Sequence, residues 1–175
     1  MKKNVKYHCN EHVVKMPIEA VQVAYSALIT LEPSENWRPS APLTKSGKNG
    51  YHMTHKNHPL VLWVSSSRAN YNLCLEYALA LCREYTKRYS TPGKTKVHAV
   101  QEHAEWLAKN PPAQFPNESM TPIPVIRSGK EVIKVNTVDE AVKLYREEYR
   151  ETKMRFAHYK APRAIPSWVV KKSIK

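Results

Sequence analysis

Three features of this sequence predict a mainly α fold, a compact single-domain helical bundle with long loops and room for one or two short strands. Apolar residues recur at spacings of three and four over several long stretches, which is the helical period. Thirteen prolines and only four glycines punctuate the chain, and the prolines gather in the breaks between those stretches. A length of 175 residues with 42% hydrophobic content is enough to bury one core. Residues 1–160 are read as that domain and 161–175 as a basic C-terminal tail.

The first helix is expected over about 10–31, where Val13, Val14, Ile18, Val21, Tyr25 and Leu28 form one stripe and Asn10 suits an N-cap. Pro17 removes a backbone donor inside it, which predicts a kink there or a true start near Met16. Residues 32–58, with Pro33, Pro39, Pro42, Gly47 and Gly50, read as a long surface loop. The run from His58 to Val64 fits either a buried strand or a helical turn. A second helix is expected from Ser66 to Tyr89, with Tyr71, Cys74, Ala78, Leu81, Cys82 and Tyr85 on its stripe and Thr91-Pro92-Gly93 ending it. A third spans about 96–109 on Val97, Val100, Ala104 and Leu107, stopped by Pro111-Pro112. Residues 110–128 are proline-rich and irregular, and 131–135 alternate as a short strand does. Thr137 then caps a fourth helix over 138–159, with Glu140 near its positive end.

Charge points to the partner. Lys and Arg number 28 against 15 Asp and Glu, a formal net charge of +13. The surplus is uneven, because no acid lies between Glu35 and Glu76, where Arg38, Lys45, Lys48, Lys56 and Arg68 fall, and none follows Glu151. That last stretch holds Lys153, Arg155, Lys160, Arg163, Lys171, Lys172 and Lys175. Two acid-free basic segments suit a surface that tracks phosphates, so DNA is the expected partner. The same segments also fit solvated, flexible chain whose basicity serves solubility.

Several classes lose support. No apolar run approaches the roughly 18 to 20 residues of a membrane span, since the candidate around Leu73 to Leu81 is interrupted by Glu76. The basic start is followed by His8, Cys9, Asn10 and Glu11 and not by the apolar stretch of a signal peptide. Cys9, Cys74 and Cys82 are odd in number with no CxxC, which favours a reducing cytoplasm, that of the host cell for a viral protein. No glycine-rich phosphate-binding string occurs, and no cofactor is expected.

Three constellations can carry chemistry. His8-Cys9-x-x-His12 has spacing compatible with zinc but no second half, and the same residues fit a buried thiol and two imidazoles at a helix start. His52, His55 and His58 recur every third residue in the basic loop and can meet phosphate or metal. No metal site is expected from either. Glu19 lies beside the apolar stripe of the first helix. A half-buried carboxylate there has a raised pKa and can serve as general acid or base, whereas a solvated one is an ordinary surface group.

The segment from His12 through Glu19, continued by Ala20-Val21-Gln22, resembles one near the start of many uncharacterised phage and large-virus proteins. The later strings Thr54-His55-Lys56-Asn57-His58-Pro59, Trp63, Asn70-Tyr71 and Leu81-Cys82-x-Glu84-Tyr85-x-x-Arg88-Tyr89 share that resemblance. The group in turn resembles, distantly, the endonuclease V family of pyrimidine-dimer DNA glycosylases, compact helical proteins in which a helical glutamate follows a histidine by seven residues. Glu19 follows His12 by seven.

The resemblance implies a DNA glycosylase and AP lyase. In that family an N-terminal α-amine attacks C1′ of the damaged nucleotide, the base leaves, a Schiff base forms, and the glutamate assists ring opening and β-elimination. Here Met1 supplies the amine, because the bulky Lys2 disfavours its removal, and Glu19 does the acid–base work. Lys45, Lys48, Lys56, Arg68, Arg83, Arg88, Lys153 and Arg155 are expected to contact phosphates. His58 and Asn70 are expected to line a base pocket, with Trp63 and Tyr71 stacking on the base or packing in the core. The chain departs from the family pattern where Ile18 and Gln22 replace arginines that flank the glutamate. Two other classes fit the same residues: a non-catalytic DNA-binding or host-interacting factor, and a viral DNA base-modifying enzyme.

Overall fold

The computed structural model describes residues 2–128 and 131–169. After a 3-10 turn over Lys2–Tyr7 come α1 (Asn10–Leu31), α2 (Pro59–Ser66), α3 (Arg68–Tyr89) and α4 (Gln101–Lys109). Strands β1 (Ile123–Ile126) and β2 (Val132–Val135) follow, then α5 (Val138–Glu148), which runs on as a π-turn over Tyr149–Lys153. The fold is a mainly α single domain.

Helix α1 is the central element, buried along Val13, Val21, Ala24, Tyr25 and Leu28 and packed against α2, α3 and α4. Its bounds are those the periodicity predicts, but the details differ. Cys9, in extended backbone, is the N-cap and contributes no side-chain bond. Asn10 instead donates its amide to the His158 carbonyl at 2.8 Å and accepts from Arg88 Nη1. The helix also runs unbroken through Pro17, whose ring is buried. By length and hydropathy α1 could cross a membrane, contrary to the expectation that no segment is long and apolar enough, yet half of that window is buried inside this fold.

The apolar run before α3 is helical, with His58 as N-cap accepting from the Leu60 amide through Nδ1 and Pro59 in the first turn. Ser67, extended at φ −157°, separates α2 from α3 and caps α3 by accepting from the Asn70 amide. That extended residue is why one expected helix over 66–89 begins at Arg68. Helix α4 starts at Gln101, later than expected, because Val97 is exposed and His98 turns inward, with Nε2–H donating to the Val14 carbonyl at 3.0 Å.

Strand β1 lies inside the stretch expected to be irregular. It pairs antiparallel with β2, Ile123 opposite Val135 and Ile126 opposite Val132. Pro124 is tolerated because a two-stranded sheet consists only of edges. Thr137 and Glu140 form the expected capping box of α5. The α-helix stops at Glu148 and not near Tyr159, as the backbone widens into the π-turn.

The described part of the expected tail is docked. Arg163 binds Glu84 through both carboxylate oxygens at 2.8 and 2.9 Å, and Trp168 meets Tyr7 edge-on with centroids 6.0 Å apart. Lys171, Lys172 and Lys175 lie outside the described residues, as does Met1.

The long loop before α2 is held by local bonds. Asn49 Nδ2 donates to the Ala41 carbonyl at 2.8 Å, and the Thr54 amide donates to Ser26 Oγ at 3.0 Å. Gly50 is buried at φ +65°, where an added Cβ meets the Tyr25 ring at 2.9 Å; Gly47 at φ +76° faces open space. Gly47→Ala is therefore expected to cost only the left-handed backbone penalty, about 1 to 2 kcal/mol, and Gly50→Ala distinctly more, as measured by urea denaturation.

Candidate active site

One face of α1 opens onto a cavity of about 410 Å³ bounded by α2, α3, β1 and α5. His12, Lys15, Met16, Glu19, Ala20 and Val23 line it, positions that advance by three and four and so share one side of the helix. Helix α2 and its N-cap contribute His58, Leu60, Trp63 and Val64, and α3 contributes Leu73, Cys74 and Tyr77. Strand β1 supplies an apolar wall, α5 adds Ala141, Val142 and Tyr145, and the π-turn adds Lys153. Asn4 of the N-terminal turn and His8 just after it also reach the cavity.

The charged groups belong to the helix surface and the π-turn. Lys15 Nζ sits 2.9 Å from Glu19 Oε1, one turn apart on α1, with the Glu19 side chain 42% exposed. Lys153 Nζ stands 3.5 Å from Glu148 Oε1. Glu148 also accepts from Ser128 Oγ at 2.5 Å and Thr152 Oγ1 at 2.6 Å.

Imidazoles and phenols make up the rest of the polar lining. His8, 2% exposed, has Nε2 2.6 Å from the Tyr77 hydroxyl and stacks on Tyr145 at 5.2 Å between centroids. His12 Nδ1 is 2.5 Å from the Tyr149 hydroxyl and 3.3 Å from that of Tyr145. Burial pushes the His8 pKa down to about 3 and that of His12 to about 4, with neighbouring positive charge adding to both effects. Burial likewise raises the tyrosine values, that of Tyr77 and Tyr145 among them, so these groups are uncharged at neutral pH. Cys74 is inert as a nucleophile, its thiol pushed up to about 12 by burial.

The residues expected from sequence divide sharply. Glu19, His58, Trp63 and Lys153 line the cavity. Trp63 is also a packed wall, 8% exposed, its indole N–H donating to the Thr121 carbonyl at 3.2 Å. Lys45, Lys48, Lys56, Arg83 and Arg155 are exposed and lie away from the cavity lining. Arg68 donates to Glu118 at 2.8 Å and covers the Phe115 ring, which ties the proline-rich segment to α3.

Arg88 does not meet phosphate. Its side chain is fully buried, and it donates to Glu84, Asn10 and the Lys6 carbonyl. Burial alone raises the Glu84 pKa, but Arg163 and Arg88 together hold it below the usual carboxylate value. Asn70 does not line the cavity either, because Nδ2 donates to Trp63 O and Thr121 Oγ1 while Oδ1 accepts from the Thr121 amide. Tyr71 is fully buried against Phe115, out of reach of a ligand.

Among the described residues, no three His, Cys, Asp or Glu side chains are placed to hold an ion. His8, Tyr77, Tyr145 and Tyr149 were not anticipated as a set. The available signal was the spacing of four within His8/His12 and within Tyr145/Tyr149, which places two rings on one side of the backbone.

No family model, curated protein or solved structure matches the chain.

Acidification tests the electrostatics of this arrangement. His8, His12, His98 and His103 all have pKa values lowered by burial, whereas an unfolded histidine takes up its proton near about pH 6.5. The unfolded chain therefore binds more protons below that pH. Stability is full above about 6.5 and falls as pH drops toward the folded values. Urea denaturation at pH 5 is expected to show lower stability than at pH 7.5, by at most about 1.4 kcal/mol per pH unit for each such group. His8→Gln should flatten the slope. A profile unchanged between those pH values contradicts neutral burial.

Proposed function

We propose that this protein is a basic DNA-binding enzyme of the glycosylase and AP lyase type, with the α1 cavity receiving one extruded nucleotide. The observation that carries this reading is convergence: Glu19, His58, Trp63 and Lys153, nominated from separate stretches of sequence, open onto one cavity. Its volume of about 410 Å³ lies within the roughly 300 to 1,000 Å³ common for ligand pockets, and its walls are mostly apolar. A base removed from its stack needs such a slot, since extrusion must be repaid by packing and edge hydrogen bonds.

In the proposed reaction an unprotonated amine attacks C1′ and the departing base takes the electron pair of the glycosidic bond together with a proton. The C1′–O4′ bond then breaks, O4′ keeping its electron pair and taking a proton relayed by Glu19 while the nitrogen lone pair forms the iminium at C1′. That iminium acidifies the C2′ hydrogen. Glu19 accepts that proton, the C2′ electron pair forms the new double bond, and the 3′-phosphate leaves. The family resemblance assigns the amine to the N-terminus, which is outside the described residues. Lys15 and Lys153 are the described amines on the cavity. The exposed lysines and arginines of the loops and of α3 hold the flanking phosphates.

Borohydride trapping on a duplex with one abasic site tests this reading. A covalent adduct is expected, reduced by about a hundredfold in Glu19→Gln. N-terminal acetylation abolishes it if the α-amine is the nucleophile, and Lys15→Gln or Lys153→Gln does so otherwise. Binding without any adduct indicates a non-catalytic DNA-binding protein. Under either outcome log affinity should fall with log salt by about 0.9 per phosphate contact, and binding indifferent to salt removes DNA as the partner.

A further inference from the structure

Resting on that reading, we propose that His12 is the fixed hydrogen-bond donor of the cavity, offering Nε2–H to an uncharged acceptor on the extruded base, and that Tyr149 is the positioning residue that sets this tautomer. The argument begins with the phenol. Tyr149 is 1% exposed, and its hydroxyl oxygen accepts the Cys9 amide at 3.1 Å. Its single proton then has two acceptors in reach, His12 Nδ1 at 2.5 Å and Cys9 Sγ at 3.4 Å. Sulfur is the weaker acceptor and the more distant one, so the proton goes to nitrogen. The Tyr145 hydroxyl, 3.3 Å from the same nitrogen, reinforces the choice. A neutral imidazole that accepts at Nδ1 carries its hydrogen on Nε2.

That second nitrogen has no hydrogen-bond partner among the described residues, although His12 lines the cavity. The rings packed around the imidazole, His8, Tyr149 and Phe156 at 6.3, 5.2 and 5.8 Å between centroids, are uncharged. The charges that reach it come from Lys153, Glu19 and Lys15 at the cavity and from Glu11. A carbonyl oxygen or unprotonated ring nitrogen of a base suits such surroundings, while an anionic group is better met by Lys15 and Lys153. The π-turn makes the arrangement possible, since Tyr149 at its start reaches His12 and Lys153 at its end reaches the cavity. Such local widenings of a helix recur at functional sites.

Two measurements test the proposal. Nitrogen-15 NMR of the full chain without ligand, at neutral pH, should show His12 as the Nε2–H tautomer, and Tyr149→Phe should convert it to a mixture. A wild-type Nδ1–H tautomer overturns the proposal, as does a His12 signal that Tyr149→Phe leaves unchanged. The wild-type spectrum decides even if the variant fails to fold. The second measurement follows base extrusion by fluorescence on a duplex with one mismatched 2-aminopurine. His12→Gln, whose amide N–H falls near the Nε2 position, should bind within about threefold of wild type, and His12→Asn, whose amide falls near Nδ1, should lose about tenfold. Equal losses overturn the donor role. A wild-type protein that never raises the fluorescence overturns the base-binding half together with the DNA reading, whereas the NMR result decides the Tyr149–His12 half independently.

Discussion

The packing of α1 against α3 is the constraint on which the rest of this structure depends. Ala20, Ala24 and Ala27 on one helix and Ala78 on the other are small enough to let the backbones approach, while Tyr25, Leu28, Tyr71 and Leu75 fill the space around them. Close-packed interiors tolerate little change in volume, so this seam fixes the rotation of α1 about its axis. With the rotation set, the helix sides follow. One side carries Tyr25 into the aromatic cluster with His103, Trp37 and Trp106, and another holds His12, Lys15 and Glu19 on the cavity.

Charge is organised around a shortage of carboxylates. Glu84 is spent on two arginines, Arg88 and Arg163, so that one acid joins α3 to the N-terminal turn and to the segment after the π-turn. Such a buried cluster is held together by its full set of hydrogen bonds more than by net electrostatic gain, because desolvating the ions is costly. Glu148 plays a comparable part for Arg127 and Lys153. With these acids turned inward, the exposed lysines of the loops keep their positive field, which is the physical basis for expecting a polyanionic partner.

Neutral groups deep in the cavity and charged groups on α1 and the π-turn divide the chemistry between them. His8 and His12 lose their charge because water is excluded around them, and the tyrosines keep their protons for the same reason. The proposed ligand, an extruded base with its flanking phosphates, would present an uncharged heterocycle to the first kind of group and anions to the second. Glu19 keeps 42% of its side chain exposed and stays paired with Lys15 one turn away on α1.

How much could be read in advance depended on how far apart the partners lie in the chain. The periodicity of α1 and α3, the capping box at Thr137 and the shared face of His12 and Glu19 are local, since a helix repeats over a few residues, and the sequence alone determined them. Glu19 could be singled out because it lies beside the apolar stripe of α1 and follows His12 by seven residues. Arg88 could not be told from the exposed Arg83 on the same helix, because the difference is made by Glu84, Asn10 and the Lys6 carbonyl acting together. Pairing of β1 with β2 was hidden by the prolines around it. Only the tertiary structure decided that His8 meets Tyr77 across 69 residues and that His12 meets Tyr149 across 137. Periodicity holds no information about such pairs, which exist because burial leaves each polar ring to find its hydrogen bond in whatever element packs beside it.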